Sequence, residues 1–194
     1  MSTTDTLFAP RPKRADALRN YEKLIAAARD AFAQDGASAS LEEIARRAQV
    51  GIGTLYRHFP TRQALLEAVY VGEVEALCSS AAGFAELPPW DALVAWLHRF
   101  VAYLATKQAL AQELLNYVDR DASVFQSCRS GLFAAGEPLL ERAQAARVVR
   151  ADTGLTEIIQ MVGGIAKIQG AEPEQIDHIL EMALDGLRYR APGG

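Results

Sequence analysis

Cysteine is scarce in this sequence. Cys78 and Cys128 are the only two, stand far apart and lack CxxC partners, which argues against a disulfide scaffold or a zinc finger and for two reduced thiols. Histidine is equally thin. His58, His98 and His178 fall in separate expected helices, and no HExxH, GxSxG or close Cys/His pairing accompanies them, so neither a catalytic constellation nor a metal site is expected. No apolar run approaches the roughly 18 residues that a bilayer-spanning helix needs, and the N-terminal MSTTDTLFAPRPKRAD has no hydrophobic signal segment. The chain therefore reads as soluble and cytoplasmic. Strand-like alternation and internal repeats are lacking too.

What is present is helix and charge asymmetry. Hydrophobic residues make up 50% of the chain, enough for a substantial core. The net charge of −4 suits a nucleic-acid binder poorly until the chain is divided. Residues 1–72 carry ten Lys/Arg against eight Asp/Glu, a net +2, and residues 73–194 carry ten against sixteen, a net −6. A basic head on an acidic body fits that direction. Arg11, Lys13, Arg14 and Arg19 cluster near the start, and residues 1–17 are expected to form a flexible basic arm.

The apolar spacing predicts an all-α chain of about nine helices. Tyr21, Leu24, Ile25, Ala28 and Phe32 form one face of a first helix that stops at Asp35-Gly36. Ser40 can cap a short second helix while Glu43 reaches back to it, with Leu41, Ile44, Ala45 and Ala48 inward. After Gln49-Val50-Gly51, a third short helix runs from about Ile52 to Phe59, and Pro60 ends it. Thr61 caps a longer fourth helix. Beyond Ala82, helices are expected from Leu87-Pro88-Pro89 through Leu104, then over 107–118, 122–147, 155–168 and from Pro173 onward.

The segment VGIGTLYRHFP, residues 50–60, has two readings. A dinucleotide fingerprint requires a strand before G-x-G-x-x-G. Here a capped helix precedes Gly51 and Gly53, and Tyr56 stands where the third glycine belongs. The alternative is a helix-turn-helix, whose second helix enters the major groove of DNA. On that helix Leu55 and Phe59 face inward. Ile52, Gly53, Thr54, Tyr56, Arg57 and His58 remain on or near the outer faces, and they are side-chain types that suit base edges and phosphates. Gly53, with no Cβ, permits close backbone approach.

The stretch ASLEEIARRAQVGIGTLYRHFPTRQALLEAV, residues 39–69, resembles the signature of the tetracycline-repressor (TetR) family of bacterial regulators, and the similarity extends over roughly residues 18–72. It implies a helix-turn-helix domain over 18–64 and an effector-binding and dimerisation domain over 65–194. It places Thr54 and Tyr56 at bases or phosphates and His58 at phosphates. Arg62 takes the position of the family's basic residue at the start of the fourth helix, where the dipole favours a phosphate. Ser40 and Arg46 are candidates for backbone contact. Arg57 either touches DNA or is solvated, and the Arg11-Pro-Lys-Arg run either enters a minor groove or simply stays flexible. One departure is Gly51, where the family often has Ser or Thr as helix cap.

The family resemblance also implies a homodimer through helices about 155–168 and 173–188, binding a palindromic double-stranded operator. Gly163-Gly164 would allow close helix approach, though the apolar stripe of the last helix could equally serve intramolecular packing. A ligand cavity is implied, with Trp96, Phe100, Tyr103, Tyr117, Phe125, Cys128 and Met161 as candidate lining and His98 as a polar handle. Ordinary core packing is the alternative for each. Few charges fall on the inward stripes, so an apolar or aromatic small-molecule effector is expected rather than a metal, nucleotide or other cofactor. The expected function is a ligand-responsive transcriptional regulator, and the resemblance implies a repressor, as most of the family are. A helical small-molecule binder or an enzyme without DNA-binding role is the alternative.

Overall fold

A computed structural model of the chain describes residues 12, 14–119 and 122–188, with 37 and 105–109 described by backbone alone. Arg11 and Lys13 of the basic cluster lie outside the described residues. Among those described there are nine helical segments: α1 (Ala15–Asp35), a 3-10 turn (Gly36–Ser38), α2 (Leu41–Arg47), α3 (Ile52–His58), α4 (Arg62–Gly83), α5 (Pro89–Leu114), α6 (Ser123–Ala145), α7 (Leu155–Ile165) and α8 (Pro173–Asp185). The all-α expectation holds. The extended pairing among the described residues is an isolated antiparallel bridge between Val149 and Arg188. No described helix is long and apolar enough to cross a membrane.

One element boundary differs clearly from the sequence pattern. The expected helices ending near Leu104 and covering 107–118 are one continuous α5. No glycine or proline falls between them, so nothing local stops the ladder. The expected helix over 122–147 forms as α6 with Pro138 inside it, on its exposed side, where the ring removes one backbone donor.

The chain divides into two compact units, Met1–Val74 with Thr106–Cys128, and Glu75–Ala105 with Arg129–Gly194. In the first, Leu24, Ala28 and Phe32 of α1 are buried, as are Ile44 and Ala45 of α2, Leu55 of α3, and Leu65, Leu66, Val69 and Tyr70 of α4. These are the faces that the i, i+3, i+4 spacing marks as apolar. Leu110 and Leu114 are also buried here, and Tyr70 meets Phe125 edge to face at 5.2 Å.

In the second unit Leu93, Trp96, Leu97 and Phe100 of α5 are buried, with Leu139 and Leu140 of α6, Leu155, Ile158 and Val162 of α7, and Leu180 and Leu184 of α8. Gly136 is the tightest point. A Cβ there would stand 2.5 Å from Trp96 Cη2 and 2.9 Å from Leu155 Cδ2, so α6 can pass these side chains only without one. The Arg142 guanidinium donates to the carbonyls of Ala85 (2.6 Å) and Leu87 (3.2 Å), satisfying backbone acceptors in the link between α4 and α5.

Candidate nucleic-acid interface

Local chemistry builds the interface from its edges inward. Gly36, at φ +52°, ends α1 in a backbone region where side chains are strained. Ser40 Oγ then accepts the Glu43 N–H at 3.0 Å and opens α2. The return half of the expected capping box does not form. The Glu43 carboxylate accepts instead from Arg46 (Nε, 2.8 Å; Nη2, 2.7 Å) and Arg47 (Nε, 2.8 Å). Two guanidinium groups within reach outcompete one neutral N–H for a carboxylate. Hydrogen bonds from Arg46, then Arg47, pull the Glu43 carboxyl down to about 2. Arg46 is therefore exposed, yet already paired within its own helix.

After Ala48 the chain turns at Gln49, which holds φ +56° without being glycine. Val50 N–H returns to Ala45 O at 3.0 Å, closing the turn. Gly51 caps α3 in extended conformation without a side-chain bond; its carbonyl accepts from the N–H groups of Thr54 (2.8 Å) and Leu55 (3.1 Å). The missing Ser or Thr thus leaves the cap geometry intact and only the side-chain acceptor is lost.

Leu55 and Phe59 anchor α3 inward. Phe59 packs on Tyr21 at 5.2 Å, and the same tyrosine meets the His58 ring edge-on at 6.1 Å, which fixes His58 at the rim of the helix. Ile52 (39% exposed), Gly53, Tyr56 (45%) and Arg57 face outward, with Thr54 half-exposed beside them. A Cβ added at Gly53 would meet nothing within 4 Å. Neither crowding nor backbone geometry within the described chain asks for glycine there, and in a helix it costs about 1 kcal/mol relative to alanine.

Arg62, placed at a phosphate by the resemblance, is turned inward. It donates to the carbonyls of Gly36 and Ala39 and to Glu113. Neither this network nor the left-handed turn at Gln49 was marked by the sequence pattern. Arg62 reads locally as any surface base, and Gln49 carries no turn signature.

The candidate ligand residues belong to both units. In the second, Trp96 stacks on Phe100 (6.2 Å, 11°), and Phe100 meets Tyr103 at 6.0 Å; Met161 is half-buried on α7 and His98 half-exposed on α5. Trp96 Nε1 is buried without a hydrogen-bond partner. In the first unit Tyr117 is 43% exposed, Phe125 packs on Tyr70 and Cys128 is buried. Among the described residues no group of three or more His, Cys, Asp or Glu side chains could hold a metal.

Comparison with known proteins agrees with this geometry. Residues 24–69 match the family profile described as bacterial regulatory proteins, tetR family, and residues 88–189 match the profile of a transcriptional regulator SbtR-like, C-terminal domain. A TetR transcriptional regulator from Streptomyces coelicolor is 41% identical over 88% of this chain and 99% of its own, with a TM-score of 0.78. A TetR transcription regulatory protein from Mycobacterium vanbaalenii is 33% identical over 91% and 99%, with a TM-score of 0.77.

Proposed function

Because the chain belongs to the TetR family of bacterial regulators, we propose that it acts as a homodimeric repressor whose two α3 helices read a palindromic operator. That it is a DNA-binding transcriptional regulator rather than an enzyme follows from the family itself. The observation that carries the finer reading is the outer face of α3: Ile52, Gly53, Thr54, Tyr56 and Arg57 exposed, on a helix pinned from behind by Leu55 and Phe59. Thr54 and Tyr56 reach base edges or phosphates, His58 and Arg57 the phosphates beside them, and Ser40 and Arg46 the backbone at the start and end of α2.

One such helix makes few contacts, so specificity requires two, spaced about one helical turn of DNA apart. The apolar stripe of α8 is wider than its own unit covers. Leu180 and Leu184 are buried, while Ile176, Ile179 and Ala183 stay half-exposed and Met182 is 56% exposed. Gly164 on α7 is exposed, with open space where a Cβ would stand. Both features favour α7 and α8 as the surface that meets a second copy. The aromatic row Trp96–Phe100–Tyr103 favours an apolar or aromatic effector. Such an effector must bind the state unable to hold DNA more tightly than the other; affinity alone shifts nothing.

Selection of bound duplexes from a randomised pool tests the reading. The expected product is an inverted repeat with half-site centres about 10 base pairs apart. Recovery of an unrepeated half-site, or of no sequence at all, would sink it.

A further inference from the structure

Glu113, near the end of α5, is a buried carboxylate, 7% exposed. Its Oε1 accepts from Arg62 Nε at 3.3 Å and Nη2 at 3.2 Å, and its Oε2 accepts from Asn116 Nδ2 at 3.2 Å. The same guanidinium donates to Gly36 O at 3.1 Å and to Ala39 O, and lies 5.0 Å from the centre of the Phe32 ring. The two carbonyls precede Arg62 by 26 and 23 positions. Between Ala39 and Arg62 run α2, the turn and α3. One guanidinium thus closes, from inside, the loop of chain that presents the recognition helix. Glu113, 51 positions beyond Arg62, holds that guanidinium in place.

We propose that Arg62 serves DNA binding as a positioning residue, bracing the two-helix unit from within, and that Glu113 is the group that keeps the brace set. The inference rests on the DNA-binding reading and departs from the phosphate contact implied by the resemblance. Geometry carries it. Only a planar fork can serve two carbonyls and a carboxylate together; a lysine ammonium is a point charge that could satisfy a phosphate but not this arrangement. The side chains of the pair are 19% and 8% exposed, so removing either partner leaves the other's charge poorly compensated.

The test uses the full-length chain and a duplex recovered by selection with the wild type, set against a scrambled duplex of the same length. Arg62→Lys and Glu113→Gln are each expected to weaken binding to the selected duplex by about 10- to 100-fold, while binding to the scrambled duplex is retained and helical content is unchanged. Arg62→Gln is expected to keep the wild-type slope of affinity against salt concentration, because no phosphate contact is lost. The Arg62→Gln/Glu113→Gln double variant should be no weaker than the worse single one, since the two act as a unit. A salt slope smaller by about one in Arg62→Gln, or wild-type affinity in Arg62→Lys, marks a direct phosphate contact and overturns the brace. Wild-type affinity in Glu113→Gln removes Glu113 from it. Failure of the wild type to select any duplex overturns the DNA reading as well, so the two failures are told apart.

Discussion

Gly53 and Gly136 are both glycines inside helices, one in each compact unit, and they are there for opposite reasons. At Gly136 a Cβ would strike Trp96 and Leu155; at Gly53 it would strike nothing. In the second unit the missing side chain is explained by neighbours within the chain. In the first they leave it unexplained, and on the proposed function the explanation is the close approach of DNA. The same contrast runs through the surrounding elements. α7 buries Leu155, Ile158, Val162 and Ile165, whereas α3 buries Leu55 alone and turns Ile52, Tyr56 and Arg57 to solvent. A helix that spends so little of itself on the core is held in place by its flanks, by Phe59 on Tyr21 and by Arg62 on the carbonyls before α2.

The largest effect is expected from salt. A dimer making 6–10 phosphate contacts through its basic head should lose roughly 10³–10⁵ in affinity between 50 and 200 mM salt, measured by anisotropy on the selected duplex. A flat response would mean that the head does not meet a polyanion. Tyr56→Ala comes next. Each half-site loses a contact worth about 1–3 kcal/mol, so binding should fall about 30-fold or more while the thermal melt stays where it was. Unaltered binding would take Tyr56 out of the interface.

Gly136→Ala acts on the other side of the contrast. Overpacking against Trp96 should cost about 1–3 kcal/mol in denaturant unfolding, and an unshifted midpoint would show that the α6 crossing has room to spare. The smallest effect is Gly53→Ala. It should stabilise the fold by up to about 1 kcal/mol and yet weaken the operator complex. If that variant bound DNA as well as the wild type, the argument from the empty space around Gly53 would collapse.

Much of the head was legible before any coordinates. Ser40, Gly36 and Pro60 mark helix ends because capping, left-handed backbone and the missing proline donor act within a few residues of sequence. The inward pair Leu55 and Phe59 follows from a one-turn spacing. By contrast, the same periodicity suggested a break after Leu104 that α5 ignores, since a lapse in the apolar stripe does not stop a helix that contains no breaker. Within the aromatic set, Phe125 packs on Tyr70 in the first unit and Trp96 stacks on Phe100 in the second. Aromatic character records a preference for burial and is silent about which neighbour supplies it.

Local residue order is enough for the all-α class, the capped short helices and the outward face of α3, because each depends on dihedral preference and on spacings of three or four residues. Only the tertiary structure decided where Arg62 points, why Glu113 is buried, and which glycine is crowded and which stands open. Those outcomes depend on groups 19 to 51 positions apart meeting in space, and no local pattern encodes a meeting at that range.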